Sequence, residues 1–462
     1  MRKRGANRKK SDRTRWRRAA RTLVAARCWC ETCSNMSFAR LGISKLVVRG
    51  VATGVCGMAL LAGCSNSASG VGASGGSSST SGGSVSAEGG SAGASTTAGG
   101  HGGGLVATGG SGDGGAGLGG MSAGGSAGQG GAAPGPVGPR FIGRFDMTNP
   151  NAPIFEWSGT AISLRFKGTA IGVTLSDGAS NVFEVILDGK HTVVPSIAGS
   201  NKYALGTGLS DGPHDLLLYR RTEAFFGDTT FGGFDIDPSA YLPGDPVPTR
   251  RLEVIGDSIS AGYGDEGMNP CPFVPATENQ YLSYEALAAR SVGAELYTEA
   301  WSGIGMVSNS GGDTTNPRMP ERYLETLPAT DKTATWDFSK FIPDAVVINL
   351  GTNDFSKADP GMIFQTTYTT FVTDLRGHYP KARLFLAVGP MLGGDQYTAA
   401  KGYLNGVIAA RASAGDKNLV LLEFGTQDGA QDGLGCDGHP TLATHQKMSV
   451  KLVAALKADL GW

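Results

Sequence analysis

Between Phe141 and Asp237, apolar and polar residues alternate in short segments separated by turn signals about every ten residues, a period-two pattern that predicts half-buried strands. Ala161-Ile-Ser-Leu-Arg-Phe and Ile171-Gly-Val-Thr-Leu carry it clearly. Val182-Phe-Glu-Val-Ile-Leu closes on Asp188-Gly189, a hairpin-turn pair, and Asp211-Gly212 precedes a further strand over His214–Tyr219. No helical period persists in this region. The pattern predicts an antiparallel β-sandwich of jelly-roll type over residues 140–245.

After Pro248 the pattern changes. Apolar runs at Leu252–Ile255, Glu295–Ala300, Ala345–Leu350, Ala382–Val388 and Leu419–Phe424 alternate with helix-like segments at Leu282–Val292, Met362–Tyr379, Thr398–Ala414 and Leu442–Leu460. Such alternation predicts an α/β domain over 246–462, a parallel sheet with helices on both faces. In these folds the chemistry gathers where the strands end.

Composition adds two segments ahead of these domains. Residues 64–139 are mostly Gly, Ser, Ala and Thr and hold much of the chain's 73 glycines, so they cannot bury enough surface to order and are expected to form a flexible tether. Residues 1–63 carry 15 Lys+Arg against 2 Asp+Glu, whereas the remainder carries 25 against 38. The neutral total therefore hides an acidic body, which argues against a nucleic-acid partner. From Met36, basic Arg40, Lys45 and Arg49 precede the apolar run Val51–Leu61, which reads as an export signal too short to span a membrane. Residues 1–35 then read as an overlong start.

The signal ends in Leu61-Ala-Gly-Cys64, which resembles the bacterial lipobox. The resemblance implies acylation of Cys64, a membrane partner through that lipid anchor, and an exported cell-envelope lipoprotein, with Ser65 suiting the outer membrane. With Cys64 acylated, only Cys271 and Cys436 remain as free thiols of the mature chain, and an even pair in an exported protein predicts a disulfide. Two buried free thiols are the alternative. Closing so long a loop is worth up to about 4–5 kcal/mol on the chain-entropy model.

Four short blocks follow strand ends or precede the last helix: Gly256-Asp257-Ser258, Ser302-Gly303-Ile304-Gly305, Gly351-Thr352-Asn353-Asp354 and Asp437-Gly438-His439-Pro440. A serine lifted off a strand end beside glycines suits a nucleophile, although Asp and Ser equally suit a capped helix start. His439 can serve as the base near neutral pH, with activity expected to rise between about pH 5.5 and 7.5. Asp354 reads as a brace for its own turn. His191 and His214 read as structural, and Tyr263 and Trp301 as either a sugar-stacking wall or core. Cys436, His439 and His445 lack a fourth partner for a metal site. Position 260 is serine, so no Gly-x-Ser-x-Gly elbow of the α/β-hydrolase kind occurs at Ser258.

Together the four blocks resemble the SGNH (GDSL-type) hydrolases. The resemblance implies a flavodoxin-like fold, Ser258 as nucleophile, His439 as base, and an oxyanion hole formed by the backbone N–H groups of Ser258 and Gly303 with the Asn353 amide; no metal or organic cofactor is implied. The acid sits two residues before the histidine, at Asp437, where general SGNH enzymes place it at three. That spacing, the preceding sandwich, Gly-Asp-Ser-Ile-Ser-Ala-Gly-Tyr-Gly, Trp301-Ser-Gly and the stretch Leu209–Glu223 are similar to carbohydrate esterase family 2. The further resemblance implies Asp437 as the third catalytic member, and a monomeric esterase removing acetyl groups from acetylated plant polysaccharide such as xylan or glucomannan. Other SGNH ester chemistries, or a non-catalytic carbohydrate-binding surface protein, are the rival expectations.

Overall fold

The computed structural model describes residues 133–462 except Ala179. The export signal, Cys64 and most of the tether lie outside the described residues. The N-terminal domain is one antiparallel sheet built from β1 (Arg140–Ile142), β2 (Ile154–Phe155), β3 (Ala161–Asp177), β4 (Val182–Leu187), β5 (Lys190–Pro195), β6 (Gly199–Arg220) and β7 (Thr229–Phe234). Its order is β2-β7-β3-β6-β4-β5, with β1 added beside β3. β3 and β6 are 17 and 22 residues long and pair along most of their length, so the sheet curls on itself and its inward residues form one core. Phe155, Ile162, Leu164, Phe166, Val173, Phe183 and Leu218 fill that core. The two strands expected over 161–166 and 171–175 are thus one element, and the strand expected over 214–219 begins earlier, at Gly199, because the ladder continues through Gly168 and Gly212 with local register shifts.

The second domain contains β8 (Arg250–Gly256), α1 (Ser258–Ala261), α2 (Tyr284–Val292), β9 (Ala294–Ala300), α3 (Met319–Arg322) and a small hairpin of β10 (Glu325–Leu327) and β11 (Asp331–Thr335). Then follow β12 (Ala345–Asn349), α4 (Met362–His378), β13 (Arg383–Val388), α5 (Gly394–Ser413), β14 (Leu419–Glu423), α6 (Gly429–Asp432) and α7 (Leu442–Leu460). The main sheet is five-stranded and parallel in the order β14-β13-β12-β8-β9, which is 2-1-3-4-5 by its own strands, the flavodoxin-like arrangement.

Both faces of this sheet are covered, and successive residues serve opposite faces. Val346 and Ile348 pack with Phe364, Tyr368 and Phe371 of α4 and Leu404 of α5. Ala345 and Val347 pack with Ala288 and Val292 of α2 and Met448, Leu452 and Leu456 of α7. Strands apolar on both sides follow from this, since neither face meets water.

The two domains share a buried polar seam. Arg144, just after β1, is fully buried and forms ion pairs with Glu299 of β9 at 2.9 Å and Glu253 of β8 at 3.2 Å. Its guanidinium also lies over the rings of Tyr323 and Trp336. Glu156 accepts the backbone N–H groups of Ala329 and Thr330 at 2.7 and 3.0 Å. These contacts fix the curled sheet to β8 and β9 of the parallel sheet and to the turn between β10 and β11.

Candidate active site

β8 ends at Gly256, and Asp257 caps the short α1 by accepting the Ile259 N–H at 3.0 Å. The serine reading and the capped-helix reading therefore hold at once, with Asp257 as the cap and Ser258 as the first helical residue. His439 reaches Ser258 from the turn before α7: its Nε2 lies 2.8 Å from Ser258 Oγ. The other ring nitrogen, Nδ1, lies 3.0 Å from the Cys436 carbonyl oxygen. A carbonyl can only accept, so Nδ1 carries the hydrogen and Nε2 turns its lone pair to the serine hydroxyl. That is the tautomer a general base requires.

The expected bond between the Asp437 carboxylate and the imidazole is not formed. The carboxylate accepts the Tyr263 hydroxyl instead. The cause is local backbone: Asp437 has φ +52°, a left-handed conformation that Asp tolerates, and the turn it makes brings the preceding carbonyl under the ring. Tyr263 then stacks on His439 with centroids 4.0 Å apart, and Phe273 stacks on Tyr263 at 4.3 Å. Burial lowers the His439 pKa below its ordinary value; the Cys436 carbonyl and the Asp437 charge oppose the shift.

Cys436 is held from its side chain as well. It forms a disulfide with Cys271 across 165 residues of sequence, and its N–H donates to the Gly264 carbonyl at 3.1 Å. Gly264, φ +64°, allows that approach: a Cβ there would lie 2.5 Å from the Cys436 Cβ. The Gly-Tyr-Gly that follows the nucleophile is therefore part of the seat of the base.

The loop after β9 supplies Gly303, whose φ of +78° is the reason for glycine; a Cβ there would meet protein only at ordinary contact, 3.7 Å from Ser310. Among the described residues its N–H has no hydrogen-bond acceptor. Asn353, after β12, is buried and donates from Nδ2 to the Ile304 carbonyl at 2.8 Å, which fixes its amide beside that loop. Asp354 braces this neighbouring loop, not its own turn, accepting from the N–H groups of Met306, Val307 and Ser308 at 2.7–3.0 Å. Trp301 is half-buried, with the Arg322 guanidinium 3.8 Å over one face and Phe225 of the N-terminal domain at its edge.

His191 and His214 bond to Glu184 and Asp188 within the curled sheet. His445 is buried behind the site, where its Nδ1 accepts the Tyr284 N–H at 3.1 Å and burial pushes its pKa down to about 3. With Cys436 in a disulfide, the three residues considered for a metal do not converge, and among the described residues no cluster of three or more His, Cys, Asp or Glu could hold one. Sequence reasoning missed the Cys436 carbonyl, a main-chain atom that no residue type announces. It also missed Glu223, which ends the Leu-Tyr-Arg-Arg-Thr-Glu stretch and accepts the Ser302 N–H at 2.5 Å.

A serine paired with a tautomer-locked imidazole at the carboxyl rim of a 2-1-3-4-5 sheet defines a GDSL-type ester hydrolase, and residues 254–447 match the GDSL-like lipase/acylhydrolase family. Residues 141–246 match the carbohydrate esterase 2 N-terminal family. The chain belongs to carbohydrate esterase family 2. The solved structure of a family two carbohydrate esterase from Clostridium thermocellum in complex with cellohexaose is 42% identical, with a TM-score of 0.67, over 70% of this chain and 100% of that one. Cellulase/esterase CelE of Acetivibrio thermocellus is 42% identical over 323 residues, 69% of this chain and 39% of that protein, so this chain spans well under half of that relative's length. An acetylxylan esterase/glucomannan deacetylase of Cellvibrio japonicus is 26% identical over 324 residues, 70% of this chain and 88% of that protein.

Proposed function

We propose that this chain is a carbohydrate O-acetyl esterase acting on acetylated plant polysaccharides and their oligosaccharides. The observation that carries the reading is the 2.8 Å contact between Ser258 Oγ and His439 Nε2, with Nδ1 tied to the Cys436 carbonyl. Ser258 attacks the acetyl carbonyl while His439 takes its proton. The negative charge developing on the acetyl oxygen is met by the N–H groups of Ser258 and Gly303 and by the Asn353 amide, each such donor being worth about 3–4 kcal/mol in the transition state. Collapse of the intermediate expels the sugar hydroxyl, which takes the proton back from His439. A water then repeats the attack on the acetyl-enzyme and releases acetate.

The substrate class is supported by relatives of this chain that act on acetylated xylan and glucomannan or bind cellohexaose. It is supported too by the aromatic rim of Phe225, Phe226 and Phe273 beside Trp301, of which Phe225 is 57% exposed. Such ring faces suit the apolar faces of sugars. The test is acetate release from acetylated xylan, glucomannan and peptidoglycan compared side by side. Release from the plant polymers is expected, and Ser258→Ala should abolish it while leaving the thermal midpoint unchanged. Preference for peptidoglycan, or for long-chain nitrophenyl esters over the acetate, would replace the reading. We further infer that the chain is held at the cell envelope by acylated Cys64; Cys64→Ser should move it from the membrane to the soluble fraction.

A further inference from the structure

One carboxylate of the N-terminal domain reaches the loop after β9 that carries Gly303. Glu223 is fully buried where β6 hands over to the 3-10 turn Ala224–Phe226, and its N–H, its carbonyl and its Oε2 are each held. Its N–H donates to Glu278 Oε1 at 2.6 Å, and its carbonyl accepts from Arg220 Nη2 at 3.0 Å. Arg220, buried beside it, spends its remaining donors on the carbonyls of Phe155, Thr222 and Gly227 and on Thr229 Oγ1. The turn is therefore rigid, and it aims Glu223 Oε2 at the backbone N–H of Ser302, 2.5 Å away.

Ser302 is bonded to Gly303 through the peptide whose N–H is the loop's oxyanion donor. On the far side of that donor the chain is tied from within its own domain: Ser310 N–H donates to the Gly303 carbonyl at 2.8 Å and Asn353 Nδ2 to the Ile304 carbonyl at 2.8 Å. On the near side the tie to Ser302 comes from the other domain. We propose that Glu223 is a positioning residue for the oxyanion hole, its carboxylate setting the direction of the Gly303 N–H from across the domain boundary. This rests on Gly303 serving as an oxyanion donor. Burial pushes the Glu223 carboxyl up to about 7 and Glu278 well above the usual range. Either form of Glu223 keeps an oxygen able to accept the Ser302 N–H, so the tie persists across the working pH range.

The full chain carrying Glu223→Gln, Glu223→Asp or Glu223→Ala is compared with wild type and Ser258→Ala on 4-nitrophenyl acetate. Glu223→Ala and Glu223→Asp remove the acceptor or withdraw it by one methylene. For both, kcat is expected to fall about 10- to 100-fold, below the full loss of one donor, with KM within about twofold. The acid limb of the pH profile should stay in place, since His439 is untouched. Glu223→Gln keeps an amide oxygen for Ser302 and should restore kcat to within about threefold of wild type. Where Glu223→Ala fails to give a cooperative thermal transition, the Asp and Gln pair decides alone. Wild-type kcat in Glu223→Asp, or equal losses in the Gln and Asp variants, overturns the proposal. Activity in Ser258→Ala instead removes the catalytic reading beneath it.

Discussion

The imidazole of His439 is packed under Tyr263 and leans on a carbonyl in place of a carboxylate. A neutral dipole offsets the burial of a positive ring less than a formal charge does, which is why burial dominates and the pKa lies below the ordinary histidine value. The base works when it has lost its proton, so a lowered pKa moves the acid limb of kcat/KM downward. A limb with its midpoint below about pH 6.5 is expected in a pH–rate series. The Asp437 carboxylate acts on the ring through space and through Tyr263. Asp437→Asn, which also tolerates the left-handed backbone, should lower kcat by less than about tenfold, whereas loss of a true triad carboxylate costs about 10⁴. A loss near that larger figure in steady-state assays would restore the carboxylate to the catalytic role. Ser258, Gly303, Asn353 and His439 each stand in a short block tied to a strand end or helix start, which is why the sequence pointed to the 2.8 Å contact between Ser258 and His439. Asp437 misled because its spacing is visible in a sequence and the sign of its φ angle is not.

Elements were legible where one physical requirement set them. The runs at 252–255, 345–350 and 382–388 lie within β8, β12 and β13 or overrun them by a residue, because strands buried on both faces have few polar positions to spare. α5 begins at Gly394, ahead of the expected Thr398, since a glycine pair gives no start signal. The full lengths of β3 and β6 were hidden by the breaks in the alternation at Gly168 and Gly212, which in fact pair with each other within a ladder that continues past local register shifts. The seam between the domains had no sequence signature, because it depends on Arg144 meeting Glu253 and Glu299 from different strands. Removing the arginine leaves two carboxylates buried without a cation, so Arg144→Ala should destabilise the protein by about 3–5 kcal/mol in urea unfolding. A change below about 1 kcal/mol would show that the carboxylates take up protons at little expense.

Over the whole molecule, nucleophile, base and Asn353 belong to the parallel-sheet domain, while the aromatic rim and the tie to Ser302 draw on the curled sheet. The two domains thus make one catalytic body. Cys436 joins covalent chemistry to catalysis within that body: its sulfur is cross-linked to Cys271 and its carbonyl holds the working histidine. A polypeptide kept in a reducing compartment would carry every reacting group yet leave the shelf beneath the base tied by main-chain hydrogen bonds without its cross-link. Reduced protein would in that case turn over more slowly than oxidised protein. Dithiothreitol-treated protein regaining full turnover only after reoxidation would display this dependence; unchanged kcat in the reduced form would dismiss it.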